Sequence, residues 1–449
     1  MRRLGPTDAM FLYMESRETM MHVSSLLPFS APPDAPPDHL RRLMDEIRES
    51  RAVHPPWNQK LRTPDLLLNP LQAWIDDRDI DLDYHVRRTA LPAPGDEREL
   101  GIVVSRLHGH PLDLRRPPWE AHLIEGLDRG RFAVYVKVHH SLVDGYTASR
   151  MLAHSFSRDV GERDRPLFFA LPPPPRQERP AEALDFPALL AMVREQFGAA
   201  RSLGKALLNL VRSDDIVGPL RAPKSILNAR ITRSRRLATV QLETARLKAV
   251  AKKAGGTVND VVLALSAASL RRYLLELGAL PEDPLIAMVP VNVRPKDDAG
   301  GGNAVGAILA SLATHLDDAR ARLDAIVAST KSAKEQLQGM TKNAIIQYSA
   351  LLLAPFMLQM IPGAIGRVRP AFNLVISNVP GPEAPLYFRG ARLEAAYPMS
   401  IPIHGLALNI TVSGYAGTIN FGFIGCRDRL PHLQRMAVYC GEALAELER

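Results

Sequence analysis

The sequence predicts an α/β (α+β) protein of two domains, each a mixed sheet flanked by helices. Three observations support this prediction. The chain has 449 residues, more than one hydrophobic core usually serves. Apolar residues make up 46% of it, enough to fill two cores. Strand-like and helix-like periodicities occur in both halves, and a proline-rich stretch separates them.

The proline-rich stretch sets the predicted boundaries. The run Pro172–Pro175 can neither pair in a sheet nor continue a helix, so it predicts an extended connector. We therefore predict an N-terminal domain over 1–170, a linker with an amphipathic helical segment over 171–233, and a C-terminal domain over 234–449. The basic amphipathic stretch 183–211 could lie on a membrane surface, but packing against the protein's own core is the commoner explanation.

The most informative element of the first half is the segment His139-His140-Ser141-Leu142-Val143-Asp144-Gly145. Arg131–Val138 alternates apolar and smaller or polar residues, which predicts a half-buried strand. Asp144 is a good N-cap for a helix that begins near Gly145. The two imidazoles are therefore expected in a strand-to-helix turn.

This turn suits proton transfer. An unperturbed histidine has a pKa of about 6.5, so it can take a proton from an alcohol or thiol and return it. Asp144 is expected either to anchor the loop through a basic partner or to fix the tautomer of a ring. The alternative, two core histidines satisfied by backbone carbonyls, is less favoured because the doublet followed by Asp144-Gly145 is rare by chance.

The second half continues the alternation of strands and helices. Strands are predicted over 236–242, 285–293 and 303–312, the last after the glycine-rich turn at 300–302, and a hairpin over 406–412 and 418–424 with its turn at 413–417. Helices are predicted from Glu243 and over 261–275, the latter capped by Asn259 or Asp260. A mixed sheet flanked by helices follows from this order.

Residues 343–362 form the most apolar long stretch of the chain. Gln347, Pro355 and Gln359 interrupt it, which is unusual for a membrane span. We predict a buried helix broken at Pro355, with an interfacial element as the alternative.

Taken together, these segments resemble the CoA-dependent acyltransferases, which include chloramphenicol acetyltransferase, the condensation domains of peptide synthetases and, closest, the bacterial wax ester synthase/acyl-CoA:diacylglycerol acyltransferases. Besides the histidine segment, six blocks carry the resemblance in the family's order: Leu4–Phe11, Pro117–Glu120, Thr257–Asp260, Pro290–Pro295, Gly302–Asn303 and Ser377–Pro382. The chain departs from older relatives at Asn420–Gly425, where they carry a DFGWG-like motif.

The resemblance implies two chloramphenicol-acetyltransferase-like domains with a channel between them, and an O-acyltransferase activity. The implied reaction moves a long-chain acyl group from acyl-CoA to a lipid alcohol: diacylglycerol to triacylglycerol, or a fatty alcohol to a wax ester. Two alternatives stay open. One is an acyltransferase for a polyketide or peptide alcohol that takes its acyl group from a carrier protein. The other is a catalytically silent scaffold at a lipid surface.

The implied site combines the histidine segment with several other blocks. The predicted catalytic residues are His139, His140, Asp144, Gly145 and Asn259, with His140 as the general base and His139 orienting the loop. The predicted substrate-binding residues are Trp119, Ser141, Asp260, Arg294, Asn303 and Asn378. The resemblance implies that Asn259 donates its amide to an oxyanion, with helix capping as an equal alternative. It also implies Arg294 as the partner of Asp144, although a surface arginine is plausible. The Ser377–Pro382 turn could equally be a rigid inter-domain loop.

Composition limits the classes of ligand and partner that the protein is expected to bind. The net charge of +8 suits nucleic acid, anionic lipid headgroups or the phosphates of CoA. Nucleic acid is the least favoured, because no dense basic run with interleaved aromatics occurs. Cys426 and Cys440 suggest neither a disulfide framework nor a zinc site. We expect no metal and no cofactor, with acyl-CoA as a substrate. A cytoplasmic location is expected, with possible peripheral contact at the inner membrane or a lipid-body surface, since Asp8 and Glu15 interrupt any secretory signal.

Overall fold

A computed structural model of the protein describes residues 2–64, 72–172, 221–292, 305–337, 345, 347–349, 352–353, 356 and 369–449. The strands are β1 (Arg2–Arg3), β2 (His22–Ser30), β3 (Gln59–Leu61), β4 (Ala73–Asp76), β5 (Val86–Ala90), β6 (Trp119–Glu125), β7 (Arg131–His139), β8 (Arg235–Glu243), β9 (Ile286–Asn292), β10 (Val305–Ser311), β11 (Leu374–Val379), β12 (Tyr387–Phe388), β13 (Ala391–Leu393), β14 (Tyr397–Met399), β15 (Leu408–Tyr415) and β16 (Thr418–Cys426). The helices are α1 (Pro6–Tyr13), α2 (His39–Glu49), α3 (Leu82–His85), α4 (Glu97–His108), α5 (Gly145–His154), α6 (Thr244–Lys253), α7 (Val258–Glu276), α8 (Ala319–Leu337) and α9 (Arg435–Glu448).

Two large mixed sheets organise these elements. The first has the order β12-β13-β2-β7-β6-β5, with β14 also paired to β2, and the second has the order β10-β9-β11-β15-β16-β8. Strands β5 and β6 run parallel in the first sheet, and β11 runs parallel to both β9 and β15 in the second. Two mixed sheets with flanking helices confirm the fold class predicted from the sequence.

The second half of the chain also contributes to the first sheet. Strand β13 pairs with the end of β2, where Leu393 lies opposite Phe29, and β14 pairs with its middle, where Pro398 lies opposite Ser25. The predicted domain ranges stay a prediction. They did not foresee that 387–399 would join the first sheet, because a period of two marks a strand without saying which sheet it joins. The basic amphipathic stretch 183–211 lies outside the described residues.

A separate apolar core joins the two halves. Leu100 and Val104 of α4 pack there with Tyr135 of β7, Leu237 of β8 and Ile424 of β16. The backbone N–H of Leu237 donates a hydrogen bond of 2.9 Å to Ser105 Oγ. The strand that leads to the histidine segment is therefore held from both halves of the chain.

Strand β7 is buried on both faces, which corrects the prediction of a half-buried strand. Val136 and Val138 lie in the core of the first half, while Tyr135, Lys137 and His139 are buried on the opposite face. The reason is tertiary: β7 is an inner strand, between β2 and β6. The Lys137 ammonium donates to the backbone carbonyls of Leu107 and His110 at 3.1 and 2.9 Å, and lies 3.4 Å from Glu120 Oε2. These partners compensate its burial.

Most predicted elements of the second half are confirmed. Strands β8, β9 and β10, helix α6 and the β15–β16 hairpin occupy the predicted ranges to within a few residues. The hairpin turn is shorter than predicted: Ala416 and Gly417 form it alone, with φ of 43° and 82°. At the site of the DFGWG-like departure, Asn420 is buried and donates to the Ser413 carbonyl at 3.3 Å. Gly422 faces β14 so closely that a Cβ would lie 1.9 Å from the Pro398 carbonyl oxygen.

The apolar stretch 343–362 is described only in part. Its buried residues Ile345, Tyr348, Leu352 and Phe356 belong to the core of the second half, as the preferred prediction requires. No helix among the described residues has the length and apolar content to cross a membrane.

Candidate active site

The histidine segment leaves β7 and turns directly into α5. His139 is paired with His22 of β2, and the next backbone N–H, that of His140, donates to the Met21 carbonyl at 2.8 Å. Asp144 caps α5, because its carboxylate accepts the backbone N–H of Thr147 at 2.9 Å and the hydroxyl at 2.8 Å. The predicted strand-to-helix turn and its cap are confirmed, and the helix ends at His154.

His139 is held inside the protein, with 1% of its surface exposed. Its Nδ1 lies 3.1 Å from the backbone N–H of Ser141, which donates to it, and 2.6 Å from Ser141 Oγ. An accepting Nδ1 places the proton of the neutral ring on Nε2, which lies 3.5 Å from Glu15 Oε2. The same carboxylate oxygen accepts the Met21 backbone N–H at 2.5 Å. His139 is thereby oriented by groups on either side of the turn.

His140 differs from its neighbour because part of its surface is exposed. Its ring stacks on Phe11 of α1, with centroids 3.9 Å apart and an interplanar angle of 22°. Loss of hydration lowers the pKa of His140 to about 4, while the carboxylate of Asp144 acts in the opposite direction. The ring is therefore neutral at pH 7 and able to accept a proton.

Glu15 is a site residue that the sequence reasoning missed. It follows α1 and reaches both His139 and the backbone that holds His140. In the sequence it only interrupts an apolar run, and no local pattern links it to a residue so far along the chain. Its position after the Leu4–Phe11 block was the one available signal.

The structure brings two predicted amides together. Asn378 at the end of β11 donates its Nδ2 to Asn259 Oδ1 at 3.3 Å, across 119 residues of sequence. The N-cap of α7 is Thr257, which corrects the prediction of Asn259 or Asp260. The Thr257 backbone N–H donates to Asp260 Oδ2 at 2.7 Å, and the Asp260 N–H donates to Thr257 Oγ1 at 3.3 Å. This reciprocal pair is a capping box, in which the acidic residue stands three positions after the cap.

Three residues predicted to bind substrate are buried and have partners within the protein, so their contact with substrate stays a prediction. Asp260 is buried, accepts the Thr330 hydroxyl at 2.7 Å and serves the capping box. Trp119 is fully buried and donates its Nε1 to the Trp57 carbonyl at 2.7 Å. Ser141 is buried against the ring of His139. Short blocks that resemble a family do not show whether a residue faces the substrate or the core.

The remaining predicted residues divide between described and undescribed parts of the chain. Arg294 and Asn303 lie outside the described residues, so the pairing of Arg294 with Asp144 stays a prediction. Gly145 begins α5, and a Cβ there would meet no heavy atom within 4 Å. Packing therefore leaves open space at the start of α5.

A cavity of about 670 Å³ lies beside α5. Its apolar wall includes Leu27, Leu152, Phe156, Leu386 and Leu393, contributed by both halves of the chain. Tyr146, two residues after Asp144, also lines it, whereas His140 does not. The cavity therefore runs along the helix that starts from the histidine segment.

The Ser377–Pro382 turn forms another part of the cavity wall, through Pro380, Gly381 and Pro382. Gly381 packs directly on β15, because a Cβ there would lie 2.0 Å from the Gly414 carbonyl oxygen. The turn thus connects the wall of the cavity to Asn378 and its contact with Asn259.

Acid should destabilise the fold through its buried histidines. Burial lowers the pKa of His22, His108 and His140 in the folded protein. In the unfolded chain each has a pKa of about 6.5, so the unfolded state takes up protons first as the pH falls. We expect the free energy of unfolding to drop below pH 6.5 by about 1.4 kcal/mol per pH unit for each of these histidines. Urea unfolding at about pH 7 and about pH 5.5 measures this slope.

A variant checks the assignment of this slope. His22→Gln should reduce the slope by the share of one histidine. A free energy of unfolding that is independent of pH between these two values would contradict the expectation.

Both halves of the chain match known protein families. Residues 4–262 match the family model of the wax ester synthase/diacylglycerol acyltransferase catalytic domain, and residues 301–448 match that of the WS/DGAT C-terminal domain. A Mycobacterium tuberculosis protein named as a diacylglycerol O-acyltransferase is 53% identical, over 99% of this chain and 97% of the relative. The O-acyltransferase WSD of Acinetobacter baylyi is 40% identical, over 100% of this chain and 97% of the relative.

Two solved structures extend the comparison. The wax ester synthase/diacylglycerol acyltransferase of Marinobacter aquaeolei VT8 has a TM-score of 0.79 and 40% identity, covering 99% of this chain and 98% of that one. The first condensation domain of the calcium-dependent antibiotic synthetase has a TM-score of 0.58 at 18% identity, covering 99% and 95%. The latter likeness concerns the fold alone, and it agrees with the domain type that the sequence predicted.

Proposed function

Because this chain belongs to the wax ester synthase/diacylglycerol acyltransferase family, we propose that it transfers a long-chain acyl group from acyl-CoA to a lipid alcohol. The acceptor is diacylglycerol, which gives triacylglycerol, or a long-chain alcohol, which gives a wax ester. Membership confirms the family and the enzyme class predicted from the sequence. It favours them over a carrier-dependent acyltransferase or a silent scaffold. The observation that carries the mechanism is His140, a neutral and partly exposed imidazole at the end of β7.

In the proposed reaction, His140 accepts the proton of the acceptor hydroxyl. The acceptor oxygen attacks the thioester carbonyl carbon, and a new C–O bond forms. The tetrahedral intermediate collapses, its C–S bond breaks, and the imidazolium returns the proton to the departing CoA thiolate. In this step the acyl group passes directly from the thioester to the acceptor oxygen, without a covalent acyl-enzyme.

The contact between Asn378 and Asn259 supports a role for Asn259 in binding the oxyanion. Asn259 Oδ1 accepts from Asn378, which orients the Asn259 side chain and directs its Nδ2 away from that bond. Within the described residues, no acceptor is bonded to this Nδ2. We assign it to donate to the oxyanion of the tetrahedral intermediate, where preorganised donors contribute strongly to the rate.

The cavity beside α5 is suited to an alkyl chain. Its volume of about 670 Å³ and its apolar wall provide an environment that a long hydrocarbon chain prefers to water. We assign it to one of the two lipid substrates. The enzyme would act in the cytoplasm, with peripheral contact at the inner membrane or a lipid-body surface, for which the net charge of +8 is favourable.

Product analysis tests the function directly. The protein is incubated with palmitoyl-CoA and a mixture of diacylglycerol and hexadecanol, and lipids are identified by mass spectrometry. We expect triacylglycerol, palmityl palmitate or both, in amounts that match the CoA released. Ester formation only from a carrier-bound palmitoyl donor would replace the proposal with the carrier-dependent alternative. The absence of an ester from either donor would favour the alternative of a catalytically silent scaffold at a lipid surface.

A further inference from the structure

A small cleft lies where the C-terminal end of α4 meets the start of β8, on the seam between the two halves. Its volume is about 200 Å³. Six cationic or titratable side chains line it, and we call it the arginine cleft: Arg106, His110, Arg233, Arg235, Arg236 and Arg427. None of the residues that line it is acidic.

Arg235 lines the arginine cleft and is buried, with 4% of its surface exposed. Its guanidinium donates to the backbone carbonyls of Thr232 and Glu18. These partners are neutral, and within the described residues no carboxylate forms an ion pair with Arg235. A buried cation without a countercharge is costly, and an anion in the cleft would supply the missing charge.

Three of the arginines at the rim also lack a countercharge. In the described part of the chain, Arg106, Arg233 and Arg236 have no acidic partner, while Arg427 lies 3.6 Å from Asp428. Burial lowers the pKa of Arg236, and repulsion from Arg427 and Arg98 lowers it further. A bound anion would relieve this repulsion between like charges.

Hydrogen bonds connect the arginine cleft to the segments beside the two histidines. Glu18, which accepts from Arg235, lies between Glu15 and Met21, the residues that contact His139 and His140. On the other side, Lys137 stands two residues before His139 and binds the His110 carbonyl at 2.9 Å. The cleft therefore adjoins the segments that hold the two imidazoles.

We propose that the arginine cleft binds a phosphate group. Which molecule carries that phosphate is inferred from the proposed acyl transfer. Arginine forks match phosphate oxygens in paired hydrogen bonds, which makes arginine well suited to this ligand. The volume is below the roughly 300 to 1,000 Å³ of pockets that enclose whole small molecules, so it fits a phosphate or diphosphate. Two molecules carry such a phosphate: CoA in the acyl donor, and an anionic phospholipid, through its headgroup, at the surface that supplies the acceptor.

Binding of simple phosphates by the full-length protein tests the site itself. Isothermal titration with inorganic pyrophosphate and with adenosine 3′,5′-bisphosphate is compared for the wild type, Arg233→Ala/Arg236→Ala and the control Arg41→Ala. Arg41 is exposed, pairs with Asp38 and lies outside the cleft. We expect the double variant to lose at least about tenfold in affinity for one of the two probes, and the control to lose none.

Kinetics and vesicle binding identify which molecule carries the bound phosphate. If CoA occupies the cleft, the KM for palmitoyl-CoA rises about tenfold in the double variant, with kcat kept and the KM for palmitoyl-pantetheine unchanged. If a headgroup occupies it, both KM values stay constant, and binding to phosphatidylglycerol/phosphatidylcholine vesicles weakens relative to Arg41→Ala. Either result supports a phosphate site.

Equal binding of both soluble phosphates and of the vesicles by the wild type and a folded double variant would overturn the arginine cleft as a phosphate site. That result would leave the proposed function intact as long as palmitoyl-pantetheine and hexadecanol still give the ester. Conversely, a wild type that binds phosphate but transfers no acyl group from either donor would refute the proposed function alone.

Discussion

Replacement of His140 by alanine should lower kcat/KM for acceptor-dependent CoA release by about 10² to 10⁴-fold. The variant lacks the imidazole that takes the proton of the acceptor hydroxyl and returns it to the thiolate. Release of CoA thiol from palmitoyl-CoA, with and without hexadecanol, measures the effect. The difference between the two rates isolates transfer from hydrolysis.

A second histidine provides the control for this experiment. His315→Ala removes an exposed imidazole from the second half of the chain and should retain the rate of the wild type. Circular dichroism and thermal unfolding should show that His140→Ala is folded, since its ring is partly exposed and makes one stacking contact with Phe11. A folded His140→Ala enzyme with full activity would remove His140 from the mechanism.

The second large effect concerns stability. Trp119→Ala should lower the free energy of unfolding by about 3 to 5 kcal/mol, the usual range for truncation of a large buried aromatic residue. Trp119 is fully buried, stacks on His85 with centroids 4.6 Å apart, and satisfies the Trp57 carbonyl. Urea unfolding at neutral pH measures the loss.

Trp119→Phe separates packing from substrate binding. It retains an aromatic ring and loses the hydrogen bond to Trp57, so we expect a smaller loss of about 1 kcal/mol and unchanged KM values. Near-normal stability of Trp119→Ala together with a raised KM would support the substrate contact predicted from the sequence.

Local chemistry explains why much of the site could be predicted. The strand at Arg131–Val138, the cap Asp144 and the start of α5 at Gly145 depend on neighbours in sequence, and all three occur in the structure. The same holds for the β15–β16 hairpin, where Gly417 accepts a positive φ. Periodicity and capping act within a few residues, so they are visible without the fold.

A choice among adjacent capping residues and contacts between distant segments explain what the sequence did not reveal. The cap of α7 is Thr257 because its hydroxyl forms a reciprocal pair with Asp260, a choice among several adjacent capping residues. Glu15 became part of the site only because the segment after α1 folds over the end of β7. Trp119 resembled a binding residue in a short block, and its burial depends on Trp57, His85 and the surrounding core.

The sequence by itself determined the fold class, the family and the strand-to-helix turn that presents two imidazoles, because periodicity, turn chemistry and ordered blocks are written in local residue order. Only the tertiary structure decided which imidazole is partly exposed, that Asn378 meets Asn259, and that uncompensated arginines converge at the seam. Burial and the pairing of charges depend on which distant segments pack together. These properties set the pKa of His140 and the electrostatics of the arginine cleft.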